Sequence, residues 1–428
     1  MPVTLAQASL NAASDLDRNV IDEFRKSSFL LDRLPFDQAV NPAGGGSTLV
    51  YGYTRQITQR SAAFRAFNAE YAPAEVTKEQ YTTNLRPLGG SFQIDRVLAD
   101  VGAISEVAFQ LDQLIKATRA YFSDQVINGD SAVTADGFDG LSKALAGSST
   151  EIGAGPVLDF TAVSSQILAL QVVRRLNAWL GLMDGPPDAL LMNSTAASWF
   201  SLIAALSGQL RSATDAFGRP IATFRDIPIV DLGARAGVSA DVVATYGGTN
   251  EAQTVTITGT PTGGTFTLAF AGQTTAPIAH NATAAAVGAA LEALPNIAPG
   301  DVAATGGALP GTPVVVTFGG AYAGINVPQM TAVGSLTGGT TPAVAVTTST
   351  PGGSGTGTGA SGLTDIYAVR FGLDGFHGVA VTGSLVRQWL PDFSTAGAVK
   401  TGEVEMGPVA VALKATKAAA VFRNVKVA

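Results

Sequence analysis

Between Arg235 and Arg370 the chain carries no lysine or arginine, a run of 134 residues in a protein of 428. All 26 basic residues lie outside it. The run holds five acids, Asp241, Glu251, Glu292, Asp301 and Asp365, which leaves 28 acids against 26 bases elsewhere. The flanks are therefore almost neutral, and most of the net charge of −7 belongs to the middle. A shift this abrupt marks a module with its own surface chemistry. Leu232-Gly-Ala-Arg-Ala-Gly-Val-Ser leads into it, and the Gly/Ser/Thr tract 352–362 leaves it, a flexible tether by composition.

Inside the run, apolar and polar residues alternate at period two. Thr254-Val-Thr-Ile-Thr, Thr265-Phe-Thr-Leu-Ala-Phe, Pro313-Val-Val-Val-Thr-Phe and Ala343-Val-Ala-Val-Thr read as β-branched strands between Gly, Pro and Thr turns. One segment differs. Thr283 to Leu294, stopped by Pro295, reads as a short helix capped by Asn281 or Thr283. The module is a small β-rich domain with one helix.

The flanking chain has another pattern. Asp15 to Lys26 is amphipathic, and residues 44–95 follow as a long extended stretch without a helix. From Ile104 to Val126 apolar residues, Tyr121 among them, recur every three or four positions, until Asn128-Gly129 ends the helix. Two more helices, Ser164 to Leu180 and Thr195 to Leu206, flank a buried-strand run, Asp188-Ala-Leu-Leu-Met-Asn.

Several function classes drop out on composition. The absence of cysteine removes disulfides, thiolate metal sites and cysteine nucleophiles. His280 and His377 stand alone, which leaves no two-His relay and gives each a structural or surface role. Gly357-Thr-Gly-Ala-Ser-Gly362 fits a nucleotide-binding spacing but follows a Gly/Ser/Thr tract and precedes a β-run, so it reads as linker. Asp136-Gly-Phe-Asp-Gly lacks the oxygen-rich alternation of a calcium loop and reads as a turn. Glu403 and Glu405 share one strand face and are expected to meet solvent or a basic neighbour. The expectation is a non-enzyme with no cofactor and no metal. No window reaches the ~18 apolar residues of a membrane span. The first twenty residues lack a basic region and an apolar core, which points to the cytoplasm, and no long charged helical segment opens the chain.

The order of an N-terminal arm, an extended loop, a long helix and a strand–helix pair resembles the major capsid proteins of tailed bacteriophages, whose HK97-like fold is shared with encapsulin shells. Pro187-Asp-Ala-Leu-Leu-Met-Asn-Ser-Thr-Ala-Ala, Phe217-Gly-Arg-Pro-Ile-Ala-Thr-Phe-Arg-Asp-Ile-Pro-Ile-Val, Asp365-Ile-Tyr-Ala-Val-Arg-Phe-Gly, Glu403-Val-Glu-Met and Lys417-Ala-Ala-Ala-Val-Phe-Arg-Asn-Val carry the likeness. It covers residues 1–236 and 363–428. The resemblance implies an α+β chain with an arm (1–43), an extended loop (44–95), a peripheral domain with a spine helix (96–150), the first part of an axial domain (151–236), an inserted β-rich domain (237–362) and returning strands (363–428).

It also implies self-assembly into hexamers and pentamers of an icosahedral virion capsid, built in the host cytoplasm. Such a head encloses double-stranded DNA without sequence specificity, with scaffolding, portal or decoration proteins as partners and no membrane. An encapsulin-type nanocompartment uses the same fold. A secreted β-domain adhesin is the reading from another class, and the helical first half speaks against it. Arg55, Arg60, Phe64, Arg65 and Phe67 are the expected intersubunit contacts, because Arg and aromatic residues are enriched at protein interfaces. Net charge disfavours reading that cluster as a nucleic-acid site. Some relatives cross-link a loop lysine to an asparagine. Lys78 is the only lysine between Arg33 and Arg96, so no cross-link is expected here. The insert, lacking cations for a phosphate backbone, is expected on the outer surface with an acidic or neutral face.

Overall fold

The computed structural model describes residues 29–40, 49–58, 60, 62–68, 70–71, 75–101, 106–153, 157–214, 220–235, 237, 240–355, 362–381 and 386–428. The helix expected over Asp15 to Lys26 and the tract 357–361 lie outside them. The chain is α+β, organised around three hydrophobic cores.

Two of those cores share one sheet. Ala189–Met192, Leu363–Val369 and Ala419–Lys426 lie side by side at its centre, with Ile227–Asp231, Pro220–Phe224 and Leu210–Thr214 continuing on one side and Glu151–Ile152 on the other. Alternate residues point to opposite faces of a strand. Leu190, Met192, Ile366, Ala368, Ala420 and Phe422 therefore enter one core, and Ala189, Leu191, Tyr367, Val369, Ala419 and Val421 the other. That double burial explains the unbroken apolar run Ala189–Met192 and the apolar stretches Ile366–Val369 and Ala419–Phe422.

The helices Gln166–Leu180 and Ser194–Leu206 cover one face through Val173, Leu176, Trp179, Phe200 and Ile203. Ser165 caps the first by accepting from the Leu168 amide, and Asn193 caps the second by accepting from Ala196. Both helices match the expected spans to within two residues.

The second sheet joins Phe36–Val40, Phe376–Val381, Val399–Leu413 and Val386–Trp389, with Arg86–Asp95 also paired to Val399–Leu413. Across it runs the spine helix, Glu106–Asn128, 23 residues and roughly 34 Å long. Phe122, Val126 and Ile127 are fully buried, whereas Tyr121, placed by its spacing on the apolar face, is exposed. Gly129 follows its last residue and cannot carry a side chain, since an added Cβ would lie 2.3 Å from the Phe138 carbonyl oxygen. His377 lies within Phe376–Val381 opposite Ala412. The extended stretch expected over 44–95 divides at Leu85. Val50–Gln56 and Lys78–Asn84 form a free-standing hairpin, while Arg86–Asp95 belongs to the sheet.

The middle of the lysine- and arginine-free run folds around its own core, while its ends, Val242 and Val243 on one side and Leu363–Val369 on the other, belong to the body. One four-stranded sheet orders Val302–Gly306, Val314–Phe318, Ala252–Thr258 and Ala343–Thr350. A second is built on Gly263–Phe270, paired with Thr331–Thr337 and two short strands. The helix Ala284–Glu292 packs on the first sheet and is capped by Thr283, which accepts from Ala286. Val302–Gly306 and Thr331–Thr337 escape the period-two reading because glycine and alanine dilute their pattern.

The chain leaves and rejoins the body side by side. Tyr246 and Leu363 exchange two backbone hydrogen bonds of 2.8 and 3.0 Å, and Gly247–Thr249 pairs antiparallel with Gly353–Gly355. The start of the glycine-rich exit is thus strand, contrary to the tether read from its composition. Because the two crossings are paired, replacing residues 248–354 with a short Gly/Ser linker is expected to leave a soluble body with one cooperative melting transition. The body loses the Val157 amide bond to Ala321, a change of about 1 kcal/mol. Circular dichroism and calorimetry check this, and an insoluble product would make the insert part of the body's core.

Candidate assembly surface

The hairpin Val50–Gln56/Lys78–Asn84 has little core of its own and is held at its base. Tyr51 is buried and its hydroxyl donates to Asp37 at 2.8 Å, with the Lys414 ammonium 5.3 Å from its ring centre. Burial, with Asp37 accepting the hydrogen bond, raises the Tyr51 phenol above its ordinary range. Tyr53 donates to the Leu413 carbonyl at 3.2 Å and stacks on Tyr81 at 5.9 Å.

Arg55 completes the anchor. Its Nε donates to the Lys414 carbonyl at 2.8 Å, a terminal nitrogen donates to the Leu413 carbonyl, and the guanidinium lies 4.3 Å from the Tyr81 ring centre. The end of the long strand Val399–Leu413 thereby holds the hairpin through its carbonyls. Among the five expected contact residues Arg55 stands apart, since its guanidinium is committed within its own chain.

The other four lie beyond the last rung. Ile57 donates to the Thr77 carbonyl at 2.9 Å and the Thr58 and Thr77 hydroxyls meet at 2.9 Å. Past that point Phe64 and Phe67 are fully exposed, at 106% and 100%, and Tyr71 and Ile57 are mostly exposed. Arg65 leans over Tyr71 with 5.4 Å to the ring centre, and Arg60 is exposed. Two bare phenylalanines beyond the last rung of the hairpin are an apolar surface without a partner among the described residues.

A second apolar surface lies on the five-stranded sheet. Val386, Trp389, Leu390, Phe393 and Val399 are each 41–62% exposed, at the edge strand Val386–Trp389 and the turn after it. Glu403, paired with Trp389 and Ser91, is exposed beside them, while Glu405 is half-buried opposite Arg387 and Gly89. Gly89 cannot carry a side chain there, since a Cβ would lie 2.2 Å from the Val404 carbonyl oxygen. Sequence reasoning overlooked this patch. Its signal was Trp389-Leu-Pro-Asp-Phe393, three large apolar residues in a turn segment where solvated residues are usual.

Elsewhere the structure offers little chemistry. His377 is fully buried against Tyr51 at 5.9 Å, and burial lowers its pKa. His280 is half-buried, its amide donating to Gly264. Asp130 and Asp139 flank the ammonium of Lys143 at 2.5 and 3.1 Å, which closes the turn containing Asp136-Gly-Phe-Asp-Gly. No group of three or more His, Asp or Glu residues is placed to hold a metal among the described residues. An open depression of about 400 Å³ is lined by Ser194, Thr195, Ser198, Trp199 and Leu202, without an acid or a base. No described helix is long and apolar enough to cross a membrane.

No family model and no curated protein matches the chain. Among solved structures it is similar to the holo-SrpI encapsulin complex of Synechococcus elongatus PCC 7942, with 12% identity, TM-score 0.48, and 100% and 97% of the two chains covered. It is also similar to the capsid of a native GTA particle, with 12% identity, TM-score 0.47, and 99% and 100% covered. The capsid of Myoviridae phage XM1 aligns at 10% identity and TM-score 0.44, with 99% of each chain covered. Below a TM-score of 0.5 these are likenesses and no more.

Arg55→Ala is expected to weaken the attachment of the hairpin by about 1–2 kcal/mol, the low end for hydrogen bonds to a charged group because this one is half-exposed, and to leave the rest of the body as stable as before. Amide exchange of Val50–Gln56 should quicken while that of Ala189–Met192 stays unchanged. Hydrogen-exchange mass spectrometry separates this from a uniform loss of stability, which would remove Arg55 from the role.

Proposed function

We propose that the chain is a major capsid protein that assembles as hexamers and pentamers into an icosahedral phage head. One observation carries the reading: a hairpin anchored at its base through Tyr51, Tyr53 and Arg55 projects two fully exposed phenylalanines. A projecting arm without its own core gains order only by burying surface elsewhere. The receiving surface in this reading is the Val386–Trp389 edge of a second copy, where Trp389, Leu390 and Phe393 offer apolar contact and Glu403 faces the positive charge of Arg60 and Arg65. Such a contact uses different patches on the two partners. Heterologous contacts of this kind build closed shells when the rotation closes.

Burying Phe64 and Phe67 contributes about 1.5–3 kcal/mol per ring at each subunit contact. In this reading the shell encloses double-stranded DNA without reading its sequence. Scaffolding, portal and decoration proteins are the partners such a head uses, and the particle contents, DNA or a cargo protein, separate a head from a nanocompartment. The purified chain is expected to form closed particles in negative-stain microscopy and light scattering. Phe64→Ser with Phe67→Ser should give a folded protein that stops at smaller oligomers. Normal closed particles from that double variant would remove the hairpin tip from assembly.

The insert is read as displayed on the outer surface. Of its acids within 247–355, Glu251 is 1% exposed and Asp301 7%, and only Glu292 is half-open to solvent. Its surface is thus nearly free of charge rather than acidic. Packed DNA is a dense polyanion, and such a domain facing it would occupy volume without forming an ion pair. Phe266, Phe270, Phe318 and Tyr322 all lie in the insert's core, so no aromatic platform for a sugar faces outward among them. Antibodies raised against the insert should bind intact particles. Binding only after disruption would place the domain inside.

A further inference from the structure

The exit tract of the insert reads as a loose tether by composition, yet the residues around it are held from several sides. Tyr246 and Leu363 are paired where the chain leaves and rejoins the body. Beyond them, Gly248 lies directly on Gly324 of the insert, where an added Cβ would sit 2.1 Å from the Gly324 Cα. The Gly324 amide donates to Asn250 at 2.9 Å, and the body's Val157 donates to Ala321 at 2.7 Å while its side chain packs on the insert core.

Below the paired strands lies a buried polar cluster that the assembly surface does not use. The Tyr246 hydroxyl donates to Asp365, which is 7% exposed. Arg423 donates to the other Asp365 oxygen at 2.9 Å, to Glu151, and to the Ser142 carbonyl at 2.9 Å and hydroxyl at 3.1 Å. The Asn424 amide reaches Asp365 at 3.3 Å from a residue with φ +59°, opposite the bulge between Thr364 and Ile366. Asn193, the cap of the helix Ser194–Leu206, donates to Thr364 and to the Val243 carbonyl, both at 3.1 Å. Burial raises the Asp365 carboxyl against the pull of Arg423, and burial raises the Tyr246 phenol, which therefore keeps the proton it donates.

We infer that the Tyr246–Asp365–Arg423 cluster is a lock that fixes the insert in one orientation on the body. Tyr246 immediately precedes the insert and Asp365 closely follows it, so one buried carboxylate ties both crossings to the closing strand Ala419–Lys426. Removing one partner leaves a buried polar group unsatisfied, which makes such a cluster sensitive to single changes. The lock does not depend on the shell reading. Within a shell its consequence is that every copy presents the same face of the insert, an ordered array rather than a set of swinging domains.

The chain has no cysteine, so spin labels can be placed at will. Val133→Cys on the body and Val333→Cys on the insert replace side chains that are 84% and 68% exposed. Labelled chains diluted with unlabelled chain are measured by double electron–electron resonance. A single narrow distance distribution is expected, broadened about twofold or more by Tyr246→Phe through local opening of the paired strands. Should Tyr246→Phe fail to fold, Asp365→Asn, which keeps the side chain's shape and removes the charge that Arg423 and the Tyr246 hydroxyl meet, is read in the same way. A distribution already broad in the parent, or one that stays narrow in the folded variant, overturns the lock.

Discussion

Everything in the body leans on the strand Leu363–Val369, buried at each of its seven positions. It pairs with Ala189–Met192 on one side and Ala419–Lys426 on the other, and its residues alternate between two cores. A one-residue slip would exchange the two sets of side chains and spoil both cores together. The strand therefore has one register. Because it begins where the insert ends, that register also sets where the insert is mounted.

The two projections from this body are secured by different physics. At the hairpin base a guanidinium takes up the carbonyls that end the Val399–Leu413 strand, and two tyrosine hydroxyls add to it. Tyr53 and Arg55 are half-exposed there, and Phe64 and Phe67 beyond them stand in solvent. At the mount of the insert a buried carboxylate meets a partly buried guanidinium, and their partners are nearly complete. A buried charge pair is sensitive to the loss of either member and contributes geometry more than stability.

The absence of cations in the insert has a structural cost that the fold meets with backbone amides. Glu251 accepts from the Val327 amide at 2.8 Å and from Gln253 at 2.7 Å. Asp301 accepts from the Ala298 and Ala321 amides at 2.8 and 2.9 Å. Carboxylates bonded in this way need no lysine or arginine nearby. What faces solvent is then mostly threonine, alanine and glycine, and the domain is close to electrically silent.

Local patterns made the helices, the first insert strands and the module boundary readable from sequence, because periodicity and charge composition act within a few residues. Asn193 as a cap and Gly129 as a stop also belong to that local grammar. Phe64 and Phe67 could be singled out by residue type, but their full exposure could not be read from the sequence. Other features came only with the tertiary structure. Arg55 turned inward, since its acceptors at Leu413 and Lys414 lie some 360 positions away along the chain. Residues 86–95 left the loop to join a sheet, and the apparent tether began as a strand. Asp365, Arg423 and Tyr246 met in one buried cluster. Sequence determines what each segment tends to become. Which distant carbonyl or carboxylate completes it depends on strand order and register, and those emerge only when the cores are packed.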